Sequence, residues 1–296
     1  MAELLGKFSQ YAESLRVTGV AVWQDGRVAA RLNVDEEHRR NLYSASKSFT
    51  SAAVGIAVRE GLLSLEERVA DCFAGEVPEA PCRQLMELRV KHLLSMCLGQ
   101  RDAFLMGEQR LYMREHNWVR ACLAQPFDCA PGERFLYTNA GPYLAGKLVE
   151  RRAGCSLASY LQPRLFDKLD IWRPTWETDP EGGTMGAGGL MLAVSELLKF
   201  GVLYLERGRY AGARILDEEW VAQTQIDRRP GGPVDGRGYG YLFWTEPQDH
   251  AYMADGKYGQ YAIILEDKRA VVAVSAESRE PDKIRQCLRE TVYPLL

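Results

Sequence analysis

A chain of 296 residues with 46% hydrophobic and 26% charged residues has the composition of an ordinary globular protein, long enough to bury a core without disulfides or metals. Its 37 Lys plus Arg stand against 40 Asp plus Glu, and the absence of any run of about five like charges argues against a nucleic-acid arm or a polybasic membrane patch. The longest apolar runs, such as residues 190–194, fall far short of the roughly 18 to 20 residues that a membrane helix needs, so no membrane span is expected.

The N-terminus, MAELLGKFSQ, lacks the basic start and long apolar stretch of a secretory signal, which leads us to expect a cytoplasmic protein unless a leader has been removed. A short helix at about 2–15 is followed by two β-rich stretches over 17–33. They flank Asp25-Gly26, a pair suited to the positive φ angles of a tight hairpin. Residues 48–60 (SFTSAAVGIAVRE) are apolar nearly throughout and predict a helix buried all round, ended by Gly61. Residues 62–205 read mainly as helices, at 88–96, 113–124, 142–152 and 195–208. The Gly-rich stretch 182–189 has no Gly-Lys-Ser/Thr after it and no strong strand before it, so it reads as a tight connection rather than a phosphate loop. A helix near 217–225 and a Pro/Gly-rich loop at 229–238 come next. Strand signals return in YGYLFWT (239–245), YAIILED (261–267) and AVVAVSA (270–276), and a helix from Asp282 closes the chain.

Strands at both ends with helices between them predict an α/β (α+β) fold. One antiparallel sheet, flanked by helices, would be built from residues 1–43 and 205–296, with a mostly helical domain, 44–204, inserted. The seven cysteines, at 72, 82, 97, 122, 129, 155 and 287, form no CxxC pair and read as reduced, mostly buried side chains. His38, His92, His116 and His250 show neither helix-face spacing nor an HExxH pattern, so no metal or other cofactor is expected. Arg39-Arg40 and Arg151-Arg152 read as solvated surface.

Three clusters carry chemistry. Ser44 and Lys47, just before the buried helix, fall three apart on one helical face, where an amine can lie beside a hydroxyl. A lysine can act as base only if burial or nearby positive charge lowers its pKa, and the entrance to an apolar helix offers such a place. Ser46 and Ser48 adjoin Lys47 and point elsewhere, and Ser51 lies a turn deeper. The bland alternative is that Ser44 caps the helix and Lys47 is solvated. Tyr137-Thr138-Asn139 supplies a phenol able to relay a proton and an amide able to orient lysine and substrate. Ala254 to Gln260 leads into a strand, and its glycines allow the close backbone approach that an oxyanion donor requires; the alternative is a plain hairpin turn.

In order, these features resemble the β-lactamase-related serine hydrolases, a group that includes class C β-lactamases, penicillin-binding D-alanyl-D-alanine carboxypeptidases and several esterases. The likeness spans roughly residues 17–290. It implies an antiparallel sheet flanked by helices, a helical second domain, and an active site in the cleft between them. It further implies that Ser44 attacks an acyl carbon while Lys47 and Tyr137 share proton transfer. Asn139 would hold lysine and substrate, the N–H groups of Ser44 and Lys257 would form the oxyanion hole, and Gly256, Lys257 and Gln260 would line the substrate site. Where β-lactamases carry Lys or His at the start of the third motif, this chain has Ala254, so efficient β-lactam hydrolysis and cell-wall carboxypeptidase action are not expected. The implied partner is a small ester, amide or peptide, hydrolysed through an acyl-Ser44 intermediate. The rival expectation is a catalytically silent relative that binds a ligand in the same cleft. Loops 98–115 and 228–238 would set specificity, with Trp118, Trp172, Trp176, Trp220 and Trp244 as candidate pocket or core residues.

Overall fold

The structure, a computed structural model, describes residues 4–296; residues 2 and 3 of the helix expected at the start lie outside the described residues. The chain opens with α1 (Gly6–Ala12) and the hairpin β1 (Val17–Gln24) and β2 (Arg27–Asn33). The turn sets Asp25 at φ 47° and Gly26 at φ 85°, backbone that Asp tolerates and Gly favours. Strand β3 (Arg40–Asn41) leads into α2 (Ser46–Arg59), and the short helices α3 (Val69–Cys72), α4 (Arg83–Glu87), α5 (Val90–Leu94) and α6 (Trp118–Leu123) precede α7 (Ala140–Ala153) and α8 (Leu157–Leu161). Strand β4 (Met191–Leu192) pairs with β3 and runs into α9 (Val194–Leu205). The remainder is β5 (Arg209–Tyr210), β6 (Ala213–Arg214), α10 (Glu218–Gln225), β7 (Gly238–Tyr239), β8 (Trp244–Glu246), β9 (Ala251–Gly256), β10 (Gln260–Leu265), β11 (Ala270–Ala276) and α11 (Pro281–Thr291).

Seven strands form one antiparallel sheet in the order β2-β1-β11-β10-β9-β8-β7. Its alternating side chains supply two cores. Val20, Val22, Met253, Ile263, Val272 and Val274 meet Phe8 of α1 and Ile284 and Leu288 of α11. Ala21, Tyr252, Ala254, Ala262, Val271 and Ala273 face the larger cluster formed by α9, α2 and the helical region. Helix α9, although inside residues 44–204, packs on the sheet against β10 and β11.

Helix α2 is buried from Ser46 to Ala57. Burying hydroxyls is costly unless they are bonded, and three of them stitch the helix to distant segments. Ser46 Oγ accepts the Leu190 N–H at 3.1 Å, Ser48 Oγ donates to the Leu242 carbonyl at 2.8 Å, and Thr50 Oγ1 donates to the Gly186 carbonyl at 2.7 Å. Gly61, at φ 70°, follows the helix end as expected.

Several elements differ from expectation. The strand read at 239–245 is two short strands, β7 and β8, because the chain turns between them. Gly240 lies where a β-carbon would sit 1.9 Å from the Thr224 carbonyl oxygen, and Leu242 (φ 61°) donates its N–H to the Leu94 carbonyl at 3.1 Å. The helix read at 113–124 begins only at Trp118, since the Asn117 side chain accepts the Arg120 N–H at 2.8 Å and caps it there. Strand β9 was not anticipated. Arg39 and Arg40 are only half-exposed, gripping Glu196 at 2.6 Å and Asp35 at 2.5 Å, whereas Arg151 and Arg152 are exposed as expected and pair with Glu76 and, at 2.7 Å, with Glu67. All seven cysteines are free thiols, with Cys82 and Cys155 exposed. Among the described residues, no helix is long and apolar enough to cross a membrane.

Candidate active site

Ser44 sits in a 3-10 turn, Tyr43–Ala45, that runs directly into α2. The preceding residue, Tyr43, has φ 47°, a left-handed backbone that costs a non-glycine residue about 1–2 kcal/mol. The turn is held by the Tyr43 N–H, which donates to Asn41 Oδ1 at 2.7 Å, and by the Tyr43 ring edge-on to Tyr258 with centroids 5.2 Å apart. Ser44 thereby stands half-buried at the head of a buried helix.

Lys47 is 1% exposed, and its Nζ donates to Ser44 Oγ at 2.9 Å and to the Ala187 carbonyl at 2.7 Å. Burial, reinforced by the Arg110 guanidinium and opposed by Asp255, brings its amine from 10.5 down to about 7. Ser46 and Ser48 are bonded elsewhere, and Ser51 Oγ is buried without a partner.

Tyr137 lies beside Ser44. Burial raises its phenol well above the ordinary value, and its nearness to Ser44 works in the opposite sense. Its ring stacks on Trp244 (centroids 5.7 Å, 21°), meets Tyr239 edge-on at 5.9 Å, and has Lys47 Nζ 5.1 Å from its centroid. Asn139 is the N-cap residue of α7, and its Nδ2 donates to the Leu105 carbonyl at 2.9 Å while its backbone N–H donates to Phe104 at 3.1 Å. The hydrogen bonds of Lys47 thus go to Ser44 and Ala187, whereas Asn139 anchors the start of the 104–112 segment. Its Oδ1 is buried and unpartnered.

The third motif is both of the things its glycines allow. Lys257, Tyr258 (φ 68°) and Gly259 (φ 95°) turn β9 into β10 as a hairpin. The end of β9 also abuts the turn of Ser44: a β-carbon on Gly256 would lie 2.1 Å from the Leu42 carbonyl oxygen and 3.2 Å from the Ala45 nitrogen. Lys257 is exposed, with Nζ 4.7 Å from the Tyr258 ring centroid. Gln260 is fully buried and donates its amide to the Ala276 carbonyl at the end of β11, so its side chain is committed to the sheet. Ala254 is packed in the core, and Asp255 pairs with Arg237 at 2.6 Å and Arg285 at 3.5 Å. No basic side chain occupies the first position of this motif.

Other contributors had no distinguishing mark in the sequence. The Gly-rich connection presents the Ala187 carbonyl to Lys47 and is moored from behind. Fully buried Asp179 takes Lys147 at 3.0 Å, the Tyr143 hydroxyl at 2.8 Å and the Gly183 N–H at 2.8 Å, while Glu150 accepts the Thr184 N–H at 2.9 Å. Arg110, in the 3-10 helix Gly107–Tyr112, pairs with Glu177 at 2.5 Å, and both bear on the site from loops. Of the tryptophans, Trp118, Trp176 and Trp220 are core, Trp172 is exposed, and Trp244 supports Tyr137. His92 caps α5 by accepting the Arg89 N–H, and burial holds its imidazole down at about 4. Among the described residues no group of three or more His, Cys, Asp or Glu is placed to hold a metal ion.

Comparison with known proteins places the chain among relatives of known name and fold. The 6-aminohexanoate-dimer hydrolase of Paenarthrobacter ureafaciens is 25% identical over 201 residues, covering 62% of this chain and 50% of the relative. A β-lactamase of Escherichia coli (strain K12) is 26% identical over 162 residues, 53% of this chain and 40% of the relative. The chain therefore spans about half the length of the curated relatives it matches. In fold, it is similar to the octameric penicillin-binding protein homologue from Pyrococcus abyssi (TM-score 0.77, 22% identity, 99% of this chain and 76% of that one). It is similar also to EstCE1, a hydrolase with promiscuous acyltransferase activity (TM-score 0.78, 17% identity, 98% and 97%). Residues 6–290 match the Beta-lactamase family along almost the whole sequence, and the chain belongs to that family.

Proposed function

We propose that the protein is a serine hydrolase acting on a small ester or amide through an acyl-Ser44 intermediate. The observation that carries this reading is the 2.9 Å contact between Ser44 Oγ and a buried Lys47 amine whose pKa is brought to about 7. An amine that is neutral near pH 7 accepts a proton, which an ordinary lysine does not. Ser44 Oγ attacks the acyl carbon and its proton passes to Lys47 Nζ, leaving an ammonium and a tetrahedral oxyanion. The N–H groups of Ser44 and Lys257, at the seam held open by Gly256, are the donors we assign to that oxyanion. As the oxyanion collapses and the bond to the departing oxygen or nitrogen breaks, Tyr137, kept as a phenol by burial, gives that atom its proton and takes the one held by Lys47, which becomes neutral again. Water then attacks the acyl carbon and gives a proton to Lys47; the bond to Ser44 Oγ breaks, Oγ takes that proton back, and the acid is released. In this reading Asn139 positions the 104–112 wall, Gly256 and Lys257 shape the oxyanion side, and Gln260 supports the sheet.

The similarity to the 6-aminohexanoate-dimer hydrolase favours an amide-cleaving or ester-cleaving role over a silent binding one, and Ala254 disfavours β-lactams. The test is intact-mass analysis after exposure to a fluorophosphonate and to p-nitrophenyl esters. One covalent adduct on the native chain and none on Ser44→Ala is the expected result. Ester turnover that is unaltered by Ser44→Ala would overturn the assignment.

A further inference from the structure

The first position of the third motif, Ala254, offers no cation to a substrate, yet a guanidinium reaches the same neighbourhood from another part of the chain. Arg110 lies on the 3-10 helix Gly107–Tyr112, in a segment whose start is fixed by Asn139 through its bonds to Phe104 and Leu105. Its partner, Glu177, lies on the opposite wall. A β-carbon on Gly189 would come 2.3 Å from Glu177 Cβ, and Gly189 is two residues beyond Ala187, the carbonyl that holds Lys47. Arg110 is therefore framed by the Asn139 wall on one side and the Ala187–Gly189 wall on the other. The Arg110–Glu177 pair at 2.5 Å joins the two.

Resting on the acyl-Ser44 reading, we infer that Arg110 is the group that binds a carboxylate on the substrate, with Glu177 as the internal carboxylate that a substrate displaces. Three observations support it. Arg110 Nε is buried and has no partner, so the guanidinium has donor capacity beyond its bond to Glu177. The Glu177 side chain is 42% exposed and returns easily to water, whereas that of Arg110 is 25% exposed. Replacing one carboxylate by another also leaves the charge beside Lys47 unchanged, so binding an anionic substrate preserves the neutral amine that the chemistry needs. A neutral substrate gains nothing from the exchange. The ligand class is thus an ester or amide that carries a free carboxylate.

The test compares p-nitrophenyl hexanoate with p-nitrophenyl hemiadipate, which differ by a terminal methyl against a carboxylate. The native protein should prefer the hemiadipate in kcat/KM. Arg110→Gln should lower the hemiadipate-to-hexanoate ratio roughly 10- to 100-fold, mainly through KM, as expected for loss of a charge-assisted contact. Arg110→Lys should retain part of the preference, and Glu177→Gln should raise it. Because Arg110 also acts on Lys47, absolute rates will move on both esters; the ratio isolates the carboxylate contact. A ratio unaltered in Arg110→Gln overturns the inference, as does one unaltered in Glu177→Gln should the arginine variants not fold. Ser44-independent hydrolysis of both esters would instead overturn the acyl-Ser44 reading.

Discussion

Gly256 stands against Leu42 so closely that a β-carbon would come within 2.1 Å of the Leu42 carbonyl oxygen. This contact seats the end of β9 beside the turn that carries Ser44. Gly256→Ala must push backbone from backbone, which no side-chain rotation relieves. We expect a stability loss of about 1–3 kcal/mol in urea melts and a fall in kcat/KM of roughly 100-fold, the scale of an ångström's misplacement at a reacting centre. Gly75→Ala, at a position with nothing within 4 Å, is the control and should leave both quantities nearly unchanged.

The amine of Lys47 makes two pH predictions. If Lys47 is the base we propose, activity on a neutral ester should rise with pH through an apparent pKa of about 7 and level off above it, as the amine becomes neutral. Arg110→Gln removes a cation that holds this value down, so its profile should shift to higher pH. A flat native profile from pH 6 to 9 would contradict the role of Lys47. Stability follows the same linkage: between about 7 and 10.5 the unfolded chain carries a proton that the folded one lacks, so native stability rises with pH across that window. Lys47→Met escapes this dependence. Its Tm relative to the native protein should be highest near pH 6 and decline towards pH 10.

Asp179 secures the wall that presents the Ala187 carbonyl. Its side chain is fully buried, and Asp179→Ala would leave Lys147 with only Glu150, at 3.3 Å. Breaking one partner of such a pair costs about 3–5 kcal/mol. Chemical denaturation should show a loss of that order, and kcat should fall as well because residues 182–189 lose their mooring.

Trp244 supports Tyr137 from below by stacking. Trp244→Ala should lower kcat and leave the apparent pKa of Lys47 near its native position, while Trp244→Phe, which keeps a flat ring there, should recover most of the loss. Equal damage from both variants would mean that the indole serves the fold rather than the phenol.

The readable parts of this protein were those governed by local chemistry. Asp25-Gly26 announced its hairpin through backbone conformation, α2 announced burial through its nearly continuous apolar run, and Ser44 with Lys47 fell on one helical face by spacing alone. What escaped depends on contacts between distant segments. Nothing in the sequence around Ala187 marks its carbonyl as a lysine acceptor, and Arg110 is one arginine among many until Glu177 is brought opposite it. The same holds for Asn139: its residue type suggested an orienting amide, but only the path of residues 104–105 shows what that amide holds. The strand misread at 239–245 failed for a like reason, since its reversal is imposed by Thr224 and Leu94 from other elements.

The order of strands has a consequence for how the molecule comes into being. Strand β1 leaves the ribosome early, yet it pairs with β11, as in Val20 with Val274, and β9 reaches the turn of Ser44 from the same late part of the chain. Pairing at such separation is slow, and it waits for the distant strand to be made. Ser44 and Lys47 are translated long before the hairpin that completes their surroundings. A nascent chain therefore carries Ser44 and Lys47 without the strand end that packs against their turn, and those surroundings are complete only when synthesis has passed β11.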